Sequence, residues 1–141
     1  MGRRQRIRHR RLICDVLAEV AEGVRSPLEL RWVRDVERPH GLPRPDRNER
    51  LSSGRYPDVR YEAYRLLIEL NGQAYHQDVF SDWRRDNIHS EDGWLTMRYG
   101  WTDVVARPCA TAGNAVRVLQ NRGWQGQLVP CARCVVDPFG L

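Results

Sequence analysis

The stretch from Tyr56 to His76 reads YPDVRYEAYRLLIELNGQAYH and is the part of the sequence on which the predicted fold and site depend most. Its pattern predicts two short strands joined by a tight connection. The second strand, Leu66–Leu70, is a continuous apolar run of the kind found in strands buried on both faces. Asp58 lies in the first strand, and Glu69 lies near the end of the second. A carboxylate in such an apolar run is costly unless it is paired or metal-bound, so Glu69 is the first candidate for a functional residue.

Two carboxylates on neighbouring strands suit the hydrolysis of a phosphodiester. A divalent metal stabilises charge on a phosphoryl oxygen and lowers the pKa of a bound water. Mg²⁺ prefers oxygen ligands, commonly one or two carboxylates with waters and substrate phosphate, and Asp58 with Glu69 can supply that pair. His76 is the nearby side chain whose ordinary pKa suits a general base. Asn71 can orient a water or a phosphate but cannot act as a base.

Each of these residues also has a structural interpretation. Asp58 follows Pro57 and is compatible with a plain turn acid. Glu69 is compatible with a structural salt bridge to an arginine such as Arg98 or Arg84. His76 alone is more typical of a surface or capping histidine.

Two helices are predicted before the central stretch. Ser26, Pro27 and Glu29 form a start signal, with a capping side chain, a proline at the first helical position and a capping box. Prolines over 39–46 forbid further helix there. The helix before this signal ends near Gly23, and its apolar residues recur at helical spacing in one stripe: Ile13, Val16, Leu17, Val20, Ala21 and Val24.

The elements around the central stretch predict an α/β (α+β) fold with a small mixed four-stranded sheet flanked by helices and an N-terminal helical pair. Residues 48–52 are the predicted edge strand, and Trp94–Tyr99 is a half-buried strand. The last helix begins at Pro108 and ends at Gly123. We divide the chain into a basic helical region packed on the core (1–46), the core (47–123) and an irregular tail (124–141). No apolar run of about 18 residues exists, so we expect no membrane span.

The positive charge of the chain is concentrated near its N-terminus. All 23 basic residues are arginine, so no mechanism here can use a lysine. Residues 1–50 carry 13 arginines and 8 acidic residues, whereas residues 51–141 carry 10 of each. A basic arm that includes Arg4 and Arg8 suits a phosphate backbone, because neutralising phosphates releases counterions, although a merely solvated terminus explains it equally well.

The central motifs resemble the PD-(D/E)xK restriction-endonuclease-like superfamily, and most closely its very-short-patch-repair (Vsr-like) branch. Pro57-Asp58 precedes Glu69-Leu70-Asn71 by eleven residues, and the string from Leu67 to His76 is similar to an E-x-D-G-x-x-x-H segment. The segments RRDN at 84–87 and MRYGWTDV at 97–104 resemble the ending of that family. The resemblance covers about residues 55–119.

The resemblance implies a DNA endonuclease or nickase that uses Mg²⁺ or Mn²⁺ at Asp58 and Glu69 with His76 as base. It also implies DNA contacts by Tyr75, Arg84 and Arg98. A cytoplasmic location is expected because the sequence shows neither a secretory signal nor a membrane span. Two departures from the family pattern bear on catalysis. Asn71 replaces the motif's lysine, and the same residue stands before Gly72, where most Vsr-related domains have Asp. A catalytically inactive DNA-binding or interaction module, associated with phage defence or a toxin–antitoxin system, is therefore the alternative. The oligomeric state is left open.

The cysteines indicate a separate metal site. Cys131 and Cys134 have the two-residue spacing of half a zinc site. Cys109 can fold back as a third ligand, and a histidine such as His40 or His89 can supply the fourth. The alternative is free thiols in the tail, because a second C-x-x-C pair is missing.

Overall fold

The sheet of this protein has three strands in the part of the chain that the computed structural model describes, namely residues 11, 13–18, 20–21, 23–47, 50–51, 57–72 and 93–136. The strands are β1 (Val59–Tyr61), β2 (Leu66–Asn71) and β3 (Leu95–Gly100), in the order β1-β2-β3. β1 pairs antiparallel with β2, and β2 pairs parallel with β3, so the sheet is mixed.

Helices precede and follow this sheet. The first, α1, is helical at residues 11, 13–18, 20 and 21. A short 3₁₀ helix, Glu62–Tyr64, joins β1 to β2. The other helical elements are α2 (Pro27–Arg31), which continues as the π-helix Trp32–Glu37, a second π-helix (Thr102–Ala106), α3 (Pro108–Asn121) and α4 (Ala132–Val136).

The predicted start of α2 is confirmed. Ser26 adopts an extended backbone, and its hydroxyl accepts a hydrogen bond from the Glu29 N–H at 3.1 Å. The Glu29 carboxylate reaches back to the Arg25 N–H at 2.9 Å, and Pro27 begins the helix. These contacts satisfy backbone donors that a helix start leaves without partners.

The core lies between β2 and the flanking helices. Leu66, Leu67 and Ile68 of β2 are at most 1% exposed, as expected for a strand covered on both faces. Trp32 stacks on Tyr99 of β3 with ring centroids 5.6 Å apart. The predicted inward residues of the other helices are confirmed as buried: Leu28, Val33, Val36, Ala112, Ala115, Val116 and Leu119.

The mixed α/β class is confirmed, but three finer expectations are not. The described sheet has three strands, and Arg50 and Leu51 of the predicted edge strand are not in a strand. Asp58 lies in a bend just before β1, because its carboxylate bonds the Leu70 N–H instead of continuing the ladder. The tail is not wholly irregular, since α4 forms at 132–136.

The predicted stripe of α1 is largely exposed. Ile13, Leu17 and Val20 are each more than half exposed, whereas Val24 beyond the helix is buried. Gly23 ends α1 with a φ of +96°, a conformation that glycine adopts at little cost. Among the described helices, none has both the length and the apolar composition needed to cross a membrane.

Candidate metal centre

Four potential metal ligands meet beside the C-terminal segment: His40, Cys109, Cys131 and Cys134. Their ligand atoms all lie within 4.8 Å of one another. The Cys109 and Cys131 sulfurs are 3.6 Å apart, and the Cys131 and Cys134 sulfurs are 3.7 Å apart. The Cys134 sulfur lies 3.4 Å from Nε2 of His40. Four donors this close can share one metal ion.

Each ligand comes from a different kind of local structure. His40 lies in the turn that follows the π-helix Trp32–Glu37, and its side chain is fully buried. Cys109 is the second residue of α3, and Cys131 immediately precedes α4. Cys134 lies one helical turn after Cys131, so a C-x-x-C spacing at a helix start aims both sulfurs to one side.

The imidazole of His40 is oriented for ligation through Nε2. Its Nδ1 lies 2.9 Å from the Val36 carbonyl oxygen, which can only accept a hydrogen bond. Nδ1 therefore carries the proton, and the lone pair of Nε2 faces the cysteines. Such a backbone contact on the far nitrogen is the usual way in which proteins fix the tautomer of a metal-binding histidine.

Backbone contacts hold the C-terminal segment against the His40 turn. The Val129 N–H donates to the His40 carbonyl oxygen at 2.9 Å, and the Cys134 N–H donates to the Cys131 carbonyl oxygen at 3.0 Å. Gly41 has a φ of +68°, and a Cβ there would lie only 2.6 Å from the Val129 side chain. Gly41 is thus required both by its backbone conformation and by the close approach of Val129.

The thiols perturb one another. Burial raises the pKa of Cys109 to about 12, and the neighbouring Cys134 and Cys131 add to this rise. Burial alone would also raise the pKa of Cys131, but hydrogen bonds from the Cys134 backbone and the Cys109 thiol together lower it. Three thiols in contact cannot all ionise without a cation between them, which is the electrostatic setting of a metal centre.

The predicted convergence of Cys109, Cys131 and Cys134 is confirmed, with His40 as the fourth group. His89, the other histidine considered, lies outside the described residues. Cys14 is exposed and separate from the cluster. Within the described ranges, this is the one group of three or more His, Cys, Asp or Glu side chains placed to hold a metal ion.

A second group of predicted residues forms a row across the sheet. Asp58 directly precedes Val59, the first residue of β1, and Val59 pairs with Ile68, the residue before Glu69 on β2. The Leu70 N–H donates to Oδ2 of Asp58 at 2.7 Å. Arg98 is the partner of Glu69 in the parallel ladder, and its Nε lies 3.3 Å from Oε2 of Glu69. Of the two salt bridges considered for Glu69, the structure has the one to Arg98.

The remaining predicted site residues are only partly described. Asn71 is half-buried at the end of β2, opposite Gly100. The neighbouring Gly72 carbonyl oxygen accepts a hydrogen bond from Nε1 of Trp101 at 3.0 Å. The other predicted catalytic and DNA-contacting residues lie outside the described ranges: Arg4, Arg8, Tyr75, His76 and Arg84.

A buried ion pair was not foreseen from the sequence. Arg47 contacts Glu37 through two nitrogen–oxygen pairs, at 2.8 and 3.4 Å. Both side chains are less than one-tenth exposed. Burial raises the pKa of Glu37, and the Arg47 guanidinium opposes that rise only in part. The burial of Glu37 does have a signal in the sequence. Glu37 lies four positions after Val33 and therefore on the same, buried face of the helix.

No protein-family model, no curated protein and no solved structure matches this chain. The described residues form a mixed α/β domain with a small three-stranded sheet. A restriction-endonuclease-like core stays a prediction from the resemblance of the central motifs.

Proposed function

We propose that this chain is a zinc-stabilised domain in which His40, Cys109, Cys131 and Cys134 hold one structural Zn²⁺ ion. The single observation that carries the proposal is the mutual distance of the four ligand atoms. In tetrahedral zinc sites with metal–sulfur distances of about 2.3 Å, the sulfurs lie roughly 3.8 Å apart. The two measured sulfur–sulfur distances, 3.6 and 3.7 Å, fall close to that value.

The donor set favours zinc and a structural role. Thiolates and imidazole select zinc over Mg²⁺ or Ca²⁺, which prefer oxygen ligands. Three cysteines and one histidine complete a tetrahedron, so no position is left for water or substrate. The ion would join the turn at His40, the start of α3 and the segment before α4, which are three elements distant in sequence.

The expected metal content is one zinc ion per chain in protein purified without a polyhistidine tag. Replacement of the zinc by Co²⁺ is expected to give sulfur-to-cobalt charge-transfer absorption that falls in Cys109→Ser, Cys131→Ser and Cys134→Ser. Elemental mass spectrometry measures the zinc content, and absorption spectroscopy measures the charge-transfer band of the cobalt protein. Cys14→Ser is the matched control, because Cys14 is exposed and separate from the cluster. Full metal content in Cys134→Ser would contradict the proposal.

We propose as a second function the Mg²⁺- or Mn²⁺-dependent nicking of DNA at Asp58 and Glu69. The observation that favours it is the 2.7 Å hydrogen bond from the Leu70 N–H to the Asp58 carboxylate, which holds Asp58 beside the segment of β2 that carries Glu69. Mg²⁺ sites in phosphoryl-transfer enzymes commonly need only one or two protein carboxylates, because water and phosphate oxygens complete the coordination. The side chain of Glu69 is 24% exposed, so solvent and ions can reach it.

The contact between Glu69 and Arg98 supports the competing interpretation. A carboxylate that is bonded to a guanidinium is less available to a metal, which favours an inactive nuclease-fold module that binds DNA. At these exposures the pair contributes only about 0–1 kcal/mol, so a divalent ion can displace Arg98 at small cost. Measurement of DNA cleavage distinguishes an active nuclease from the inactive module.

Nicking of supercoiled plasmid in Mg²⁺ or Mn²⁺ is the expected activity of the folded protein. Asp58→Ala is expected to slow it at least about 100-fold, because the metal supplies several kcal/mol of transition-state stabilisation. Glu69→Gln and His76→Ala are tested beside it. Glu62→Gln serves as the control, since Glu62 is an exposed acid of the β1–β2 connection. If the folded wild type cuts nothing with either metal, the chain is the inactive module.

A further inference from the structure

A pocket beside the loop that carries His40 has the composition of an anion site. It has a volume of about 220 Å³, and its described lining is Glu37, Arg38, Leu42, Arg44 and Arg47. Three of the five lining side chains carry a guanidinium group and one carries a carboxylate. Drug-sized ligands occupy about 300–1,000 Å³, so a pocket of this size suits a small group rather than a whole organic molecule.

Arg47 is the most deeply placed cation of this pocket. Its side chain is 9% exposed, and two of its nitrogens contact the Glu37 carboxylate. The third nitrogen, Nε, is buried and has no hydrogen-bond partner among the described residues. A buried donor of this kind can bind the oxygen of a ligand or of a water molecule.

The loop that carries these arginines is held at both ends. The Leu42 N–H donates to the Glu37 carbonyl oxygen at 3.1 Å, which closes the turn after the π-helix. At the other end, the Asp46 N–H donates to the Arg60 carbonyl oxygen at 2.7 Å. Between them, Leu42 and Pro45 are buried. The loop is therefore pre-organised, which lowers the entropy cost of binding a ligand.

The proposed zinc ligand His40 lies within the same loop, two residues after Arg38 and four residues before Arg44. Its ring nitrogen Nδ1 is hydrogen-bonded to the Val36 carbonyl oxygen, and its own carbonyl oxygen accepts a hydrogen bond from the Val129 N–H. A metal held by His40 would restrain this loop from the side opposite Asp46. The metal centre and the arginine pocket thus share one structural element.

We propose that the pocket formed by Arg38, Arg44 and Arg47 binds a phosphate group, carried either by a nucleic-acid backbone or by a free anion. Guanidinium groups bind phosphate oxygens through pairs of parallel hydrogen bonds, so arginine clusters are the usual phosphate sites in proteins. The site is separate from the row at Asp58 and Glu69. It depends on neither the proposed zinc nor the proposed nicking activity, although each would act beside it.

The test measures duplex binding without divalent metal, so that binding is separated from cleavage. Fluorescence anisotropy with a labelled 20-base-pair duplex is recorded over a salt series for the full chain. Arg44→Gln is expected to weaken binding about tenfold and to make the slope of log K against log salt shallower by about 0.9, which is one phosphate contact. Arg38→Gln is expected to do the same. Arg107→Gln removes an equal charge at a residue that is 61% exposed and outside the pocket, and it is expected to change neither quantity.

A second arm distinguishes DNA from a free anion. The melting temperature is measured in 10 mM inorganic phosphate and in chloride at equal ionic strength. Phosphate is expected to raise the melting temperature of the wild type and Arg107→Gln by about 3 °C, and to leave Arg44→Gln unchanged. A response to phosphate without an Arg44-dependent duplex affinity would keep the pocket and make a free phosphate its ligand. If Arg44→Gln and Arg38→Gln match Arg107→Gln in both arms, the proposal is overturned.

Discussion

Loss of the metal is expected to lower the melting temperature of this protein by roughly 10–20 °C. Joining positions 40 and 109 closes a loop of about 70 residues, and a cross-link of that span stabilises a fold by roughly 4 kcal/mol. For a domain of this size, each kcal/mol corresponds to a few degrees. Because the unfolded chain does not hold the four ligands together, metal-binding free energy becomes folding free energy.

Differential scanning calorimetry with and without a strong chelator checks this expectation. Cys134→Ser removes the ligand 3.4 Å from His40 Nε2 and should melt as the chelated wild type does. Cys14→Ser should melt with the untreated wild type, because its thiol is exposed outside the cluster. If the chelator has no effect on either protein, the cluster contributes nothing to stability.

Glu37→Gln is expected to destabilise the fold by about 1–3 kcal/mol, because an amide NH₂ group replaces one of the two oxygens that accept hydrogen bonds from the buried Arg47 guanidinium. Denaturant unfolding measures the change. Asp35→Asn is the matched control, since Asp35 pairs with Arg31 at 2.9 Å but Arg31 is 40% exposed. That exposed helical pair should contribute no more than about 0.5 kcal/mol.

Removing both charges of the buried pair tests the reason for that loss. Glu37→Leu with Arg47→Met should recover most of the stability, because desolvation of the two charges offsets most of their mutual attraction. If the double variant is as unstable as Glu37→Gln, lost packing and not the incompletely hydrogen-bonded Arg47 guanidinium is the cause.

The stability of the wild type should also depend on pH through Glu37. Burial raises the pKa of this carboxyl group above its ordinary 4.5 in the folded state. Between 4.5 and the raised pKa, the folded chain binds the proton and the unfolded chain does not. The contribution of Glu37 to stability therefore falls as the pH rises through that window. This pH dependence is measured as the difference in unfolding free energy between wild type and Glu37→Gln across that range.

Local signals in the sequence predicted the elements that depend on local contacts. Ser26 and Pro27 begin α2, and the apolar run from Leu66 forms β2, because capping and burial act within a few residues. Pro108 begins α3 for the same reason. The bend at Asp58 was missed, because the competing hydrogen bond comes from Leu70, on another strand.

The metal cluster could be predicted in part. The spacing of Cys131 and Cys134 indicates two ligands, since one helical turn suffices to bring them together. The position of His40 beside the cysteines depends on how the π-helix Trp32–Glu37 packs beside α3, and no pattern in the sequence encodes that packing. The choice of Arg98 as the partner of Glu69 likewise depends on the parallel register of β2 and β3.

The order of the four ligands along the chain determines when, during synthesis, all of them become available to a metal ion. His40 leaves the ribosome first, and Cys131 and Cys134 emerge more than ninety positions later. Every strand and α3 are synthesised in between, so the cluster is completed only when these elements have been made. Chains released early, before position 131, would have at most one imidazole and one cluster thiol, too few to retain the ion. A bound metal would therefore distinguish finished molecules from prematurely terminated ones in the cell.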